Sequence, residues 1–70
     1  MVKKTVHERI QEGEFAGEPA HVLKTALEVE FGMRGHKKSE RLWQLAWERG
    51  HSGGLMDVYW EWRELLELVR

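Results

Sequence analysis

The sequence predicts an all-α protein: a compact small helical bundle of about four helices, with the last two forming an antiparallel hairpin. Three observations predict it. Leu55, Val58, Tyr59, Trp62, Leu65, Leu66 and Val69 follow steps of three, one, three, three, one and three residues, the stripe of a helix and not the alternation of a strand. Glycines stand between the periodic stretches, where helices are expected to stop. Leu, Glu, Arg, Lys and Ala are plentiful, and the single proline, Pro19, lies at the start of a periodic stretch, where its missing N–H costs nothing.

The first predicted helix is the short segment TVHERIQE, with Thr5 and Glu8 spaced as a capping box. Val6 and Ile10 share one face, Gly13 ends the segment, and Phe15 is expected to tuck in beside it. The second runs from about Pro19 to Phe31. Ala20, Leu23, Ala26, Leu27 and Phe31 form its apolar side, Val22 and Val29 flank it, and Gly32 is the stop. The third runs from about Lys37 to Arg49, KKSERLWQLAWER. Leu42, Leu45 and Ala46 share a face that Trp43 and Trp47 widen to an arc of roughly 200°, more than one packing face needs. That width predicts a central helix contacted from two sides. Gly50 is placed at its left-handed cap. The fourth, Leu55 to about Val69, carries the stripe described above, and the N-terminal helices are expected to lie across the hairpin.

Seventy residues suit one domain, spanning 1–70. A chain of this size buries only about 60 % of the surface that its unfolded form exposes, so four tryptophans make a large contribution to its core. With no cysteine, disulfides and thiolate zinc sites are excluded. Eleven Lys and Arg against twelve Asp and Glu give no global attraction to nucleic acid or membrane. The N-terminal VKKTVHERIQEGEF has no apolar run long enough for a signal peptide or a membrane span. A soluble, cytoplasmic protein is expected.

Residues 50–54, GHSGG, match G-x-S-x-G, the elbow that presents a nucleophilic serine. That elbow needs a strand before the serine, a helix after it, and an acid and a histidine later in the chain. Here a helix precedes Gly50, and no histidine follows Ser52. Ser52 is instead expected to N-cap the fourth helix, with Gly53 and Gly54 allowing the helices to approach and Asp57 suiting the positive helix end. His7, His21, His36 and His51 are never three or four residues apart, so no helix presents two of them as metal ligands. No metal, cofactor or small-molecule substrate is expected. Glu30 and Arg49 fall among apolar residues on their helices. Each lies in a last turn and is expected to snorkel to water; the alternative is that the two pair inside.

Two surfaces point to partners. On the fourth helix Trp60 projects about 160° from the centre of the core stripe, with Met56 one turn earlier. Together with the surplus of Trp43 and Trp47, they predict an apolar, tryptophan-rich surface for another protein or for a second copy of the chain. The stretch MRGHKKSER carries Arg34, Lys37, Lys38 and Arg41 against Glu40 alone. It suggests the alternative of a helix-turn-helix-like module meeting phosphates at the start of its recognition helix.

The C-terminal portion also resembles small helical proteins of bacteriophages and prophages. The resemblance lies in Leu42-Trp43, Leu45-Ala46-Trp47, Gly50-His51-Ser52, Gly54-Leu55, Val58-Tyr59, Leu65 and Leu68-Val69, under half of the chain. Proteins of that kind have no assigned activity, so the resemblance transfers no catalytic residue. It implies a viral or mobile-element setting, in which tiny proteins commonly bind a host or viral protein. The expected function is a non-enzymatic protein-binding module.

Overall fold

The computed structural model describes residues 3–69. It contains α1 (Val6–Gln11), α2 (Ala20–Glu30), α3 (Ser39–Gly50) and α4 (Leu55–Val69), with a 3-10 turn at His51–Gly53. No strand occurs among the described residues. The all-α bundle expected from periodicity is the fold observed. Its centre is α4 and not α3: α3, the 3-10 turn and α1 all pack on α4, while α2 packs on α1. Phe31, at the end of α2, reaches α4 with its ring 6.3 Å from that of Tyr59.

The helix ends show why these segments fold as they do. Thr5 Oγ1 accepts the Glu8 N–H at 3.2 Å, and its hydroxyl donates to Glu8 Oε1 at 3.4 Å, so the predicted capping pair starts α1. At the end of α2, Gly32 takes a positive φ of 69°. Its N–H donates to Val29 O at 3.4 Å, and the N–H of buried Met33 donates to Glu28 O at 2.8 Å, the two bonds of a Schellman cap. Gly13 closes α1 in the same way, with bonds of 3.0 Å from Gly13 to Ile10 and from Glu14 to Arg9. Helix α3 begins two residues later than its periodicity suggests. The chain before it forms successive turns, with His36 N–H donating to Met33 O and Ser39 N–H to His36 O, both at 3.0 Å.

Gly50 is not a left-handed cap; its φ is −113°. It is small because the helices meet there. A Cβ on Gly50 would lie 2.6 Å from Val58 N and 2.8 Å from Asp57 O, closer than backbone atoms allow. Towards the other end of the contact, the rings of Trp43 and Trp62 are 6.4 Å apart at 60°. The end of α3 thus meets the start of α4, and the middle of α3 meets the middle of α4, the order of an antiparallel hairpin. Trp62, Leu23, Leu27, Val6 and Val58 are fully buried. The Trp62 indole N–H finds no acceptor, a loss of about 1–3 kcal/mol that the ring's packing offsets.

Polar contacts fix how the first half of the chain lies on the second. Ser39, buried at the start of α3, donates its hydroxyl to Glu28 Oε2, and Lys24 pairs with Glu40. Glu30 does not pair with Arg49; it is exposed, as expected, and it also holds a second segment. Its Oε1 accepts the Val6 N–H at 2.7 Å, satisfying a free donor in the first turn of α1 from a residue 24 positions away. Arg49 is exposed.

Gly50→Ala is expected to lower unfolding free energy by at least about 2 kcal/mol in urea titration, because backbone rather than a flexible side chain must give way. Glu30→Ala should cost about 1 kcal/mol. It should raise amide exchange in residues 6–11 more than in α3 and α4, as hydrogen-exchange mass spectrometry would read.

Candidate functional site

The GHSGG segment builds no nucleophile elbow. Helix α3 precedes it, and Ser52 sits inside the 3-10 turn, exposed. Nor does Ser52 cap α4. Gly54, with φ 112°, supplies the carbonyl that accepts the Val58 N–H at 3.3 Å, so the helix starts at Leu55, beyond the serine's reach. The Asp57 carboxylate folds back onto Gly53, where it occupies the space a Cβ would need. His51 faces away from any role with Ser52: its ring stacks on Trp47 at 5.2 Å and 10°, and its Nδ1 lies 2.7 Å from Trp47 O. The other histidines are dispersed. His7 packs against Tyr59 and Trp60, His36 Nδ1 accepts the Lys38 N–H at 3.1 Å, and His21 lies beside α1. Among the described residues, no three His, Asp or Glu side chains converge as metal ligands.

The predicted tryptophan-rich surface divides in two. Trp43 is only 8 % exposed and belongs to the core; it cannot present itself to a partner. The extra apolar arc on α3 is used by the hairpin, because α4 aims Trp62 at it. Trp47 is half-buried between Trp43, at 5.6 Å, and the His51 ring. Trp60 remains 45 % exposed on α4, with Met56, one turn earlier, half-buried. The Trp60 ring is held by its neighbours: His7 edge-on at 5.6 Å, Tyr59 at 5.2 Å, and the Arg63 guanidinium carbon 5.2 Å from its centroid. His7 and Arg63 complete this patch; helical spacing places Arg63 beside Trp60 but gives no sign of His7. Arg63 lies one turn after Trp60 on α4 itself, and His7 comes within reach because α1 lies across α4.

At 100° per residue, Asp57, Trp60, Glu61, Glu64, Glu67 and Leu68 fall within roughly 120° of one another. The outward side of α4 is therefore acidic, with exposed apolar side chains set into it, and Leu68 is 80 % exposed. The basic segment has the opposite character. Arg34, Lys37, Lys38 and Arg41 are all exposed. Glu40, the one acid among them, is taken by Lys24, whose ammonium it holds above the usual lysine range through that hydrogen bond. Among the described residues none of the four cations forms a salt bridge. Lys37 and Lys38 lie in the turns before α3 and not in a recognition helix.

A concavity that sequence reasoning missed lies between α1 and α2, with a volume of about 590 Å³. Val22, Ala26 and Val29 give it an apolar lining, and Lys3, Lys4 and Arg9 bring cations to it against the single carboxylate Glu30, which is engaged by the Val6 N–H. Lys4 also pairs with Glu12 at 2.6 Å, and that bond raises its pKa above the ordinary lysine value. Val29 is 55 % exposed. The signal in the sequence was Val22 and Val29 at the margin of the second helix, more apolar surface than one packing stripe requires. Among the described residues no helix is long and apolar enough to cross a membrane.

Comparison with known proteins adds one finding. No curated protein matches the chain, and no solved structure matches it. A family model does match, over residues 20–70, from the first residue of α2 onwards. The match takes in the whole hairpin with Trp60 and leaves α1, and with it His7, outside. The chain is a member of that family, a family of unknown function (DUF8546).

Proposed function

We propose that the chain is a small non-enzymatic protein-binding module that docks through the outward face of α4, with Trp60 at the centre and Met56, His7 and Arg63 around it. The observation that carries this reading is the state of Trp60, which is 45 % exposed yet fixed by aromatic and cationic neighbours on three sides. An exposed indole already held in one orientation loses little conformational freedom on binding, and tryptophan, tyrosine and arginine are the residues enriched where interfaces hold their energy. The likeness of residues 42–69 to small phage and prophage proteins, read from the sequence, supports the same reading. It would place the protein in a cell carrying a virus or mobile element. Trp60→Glu is expected to keep the helical circular-dichroism spectrum and to abolish association, read as molar mass by light scattering on a sizing column. Loss of the helical spectrum would instead make Trp60 a core residue and sink the proposal.

A second reading is favoured by one observation: among the described residues, the four exposed cations at 34–41 have no carboxylate partner in a salt bridge. On that reading the segment binds the phosphates of nucleic acid. Affinity for a duplex or single-stranded oligonucleotide should then fall with salt, with a log–log slope of about 0.9 per phosphate neutralised on duplex DNA. An Arg34→Ala/Lys37→Ala double variant should flatten that slope. Absence of binding in dilute salt would dismiss it.

A further inference from the structure

Residues 3–18 are bonded to themselves and scarcely to the rest of the molecule. Lys4 pairs with Glu12 and Arg9 with Glu14, the Thr5 hydroxyl meets Glu8, and the Arg9 guanidinium lies over the Phe15 ring. Backbone bonds from Gly13 to Ile10, Glu14 to Arg9, Ala16 to Gly13 and Glu18 to Phe15 close the turns that follow α1. Among the described residues, one hydrogen bond alone crosses from this segment to the rest of the chain, from the Val6 N–H to Glu30. The segment is otherwise seated by side chains. Val6 and Phe15 are buried in the core, and the His7 ring lies 5.4 Å from that of Tyr59 and 5.6 Å from that of Trp60. The contact between α1 and α2 is interrupted by the hollow of about 590 Å³. The connection to α2 runs through exposed Ala16, Gly17, Glu18 and Pro19, with Gly17 at a φ of 80°. The family match begins at residue 20, directly after that connection.

We propose that residues 3–18 are a strap that docks and undocks as one piece, and that its docking sets the α4 face for a partner. Docked, the strap places the His7 ring edge-on to Trp60, so that the indole is held between His7, Tyr59 and Arg63. Undocked, it takes His7 away, frees the indole on that side and uncovers the part of Tyr59 that His7 had met. This rests on the reading that the outward face of α4 binds protein, and adds a control on that binding. A segment whose polar groups are satisfied internally gives up one hydrogen bond on leaving. Its opening therefore stops at the connection before α2 and leaves the hairpin folded. Because the contact between His7 and Trp60 belongs to both events, docking and binding favour each other. A partner that holds Trp60 in its docked orientation also holds the strap, and a strap in place spares the partner the ordering of a loose indole.

Hydrogen-exchange mass spectrometry and light scattering on the full chain test this. In dilute solution residues 6–16 should exchange together, through an opening that leaves α3 and α4 protected. Trp60→Ala should speed that exchange by at least about twofold, the effect of one ring contact, and His7→Ala should speed it further. The two together should act no more strongly than His7→Ala alone, because Trp60 reaches the strap through His7. At concentrations where light scattering shows the wild type associating, exchange in residues 6–11 should slow relative to the dilute sample. His7→Ala should need a higher concentration to associate. Exchange of residues 6–16 only with the whole molecule, or at a rate that Trp60→Ala leaves unchanged, would overturn the strap, even where Trp60→Glu abolishes association and the α4 reading stands. Association of His7→Ala at the wild-type concentration would overturn the coupling. A wild type that stays monomeric at every concentration would remove the α4 reading and the proposal with it; strap exchange, measured in the monomer, tells that result apart from the others.

Discussion

At Gly50 the last turn of α3 passes so close to the backbone of Asp57 and Val58 that no side chain fits between them, and the rest of the bundle is arranged around that crossing. Bringing the helices this near places Trp43 against Trp62 and buries Ala46 and Val58 completely. It also leaves α4 with one face committed to α3 and a second free for α1. In a chain with so little interior, one large indole at the centre of the hairpin substitutes for several smaller residues. An unsatisfied N–H on Trp62 is tolerated there because the alternative is a cavity, and in cores cavities cost more.

The first half of the molecule is held in a different way. Helix α1 has six residues, too few to persist alone in water. Its order comes from Val6 and Phe15, buried in the common core, from the Thr5 cap, and from Glu30 reaching across from α2. Arg9 adds to this by pairing with Glu14 while lying 4.9 Å over the Phe15 ring. The exposed ion pairs contribute little singly, but each ties neighbouring segments together: Lys4 to Glu12 across α1, Lys24 to Glu40 between α2 and α3. A net charge of −1 conceals a strong segregation, with cations concentrated in residues 34–41 and carboxylates along α4.

Helix existence was legible in the sequence, because the stripe of α4, the Thr5–Glu8 pair and the glycines at 13 and 32 each act within a few residues. The same locality accounts for what was missed. The start of α3 was misplaced because turns at 33–39 satisfy the backbone with bonds three residues apart, which periodicity does not register. Ser52 has the chemistry of an N-cap, but the 3-10 turn consumes its position and hands the role to Gly54. Trp43 counted as surplus because a helical wheel shows how wide an apolar arc is, not how many neighbours will cover it. Glu30 is the clearest case. Its neighbours on the wheel say only that a carboxylate lies near apolar groups, while its function is to meet a backbone N–H 24 residues earlier. The candidate site was half legible for the same reason: Trp60 and Arg63 are properties of one helix, whereas the groove and His7 depend on which helix lies across which.

The bond from Val6 N–H to Glu30 has a consequence for the groove as an object. One of its walls is a helix of six residues that folds only by docking, so the hollow exists in proportion to the time α1 spends in place. Empty and filled states of the groove then differ in chain order as well as in contacts. Anything that occupies it draws the N-terminal segment towards its ordered form, and anything that loosens that segment dissolves the hollow without touching the hairpin. Recognition at one end of the molecule is thereby coupled to local folding, while the part shared with the rest of the family stays a rigid platform.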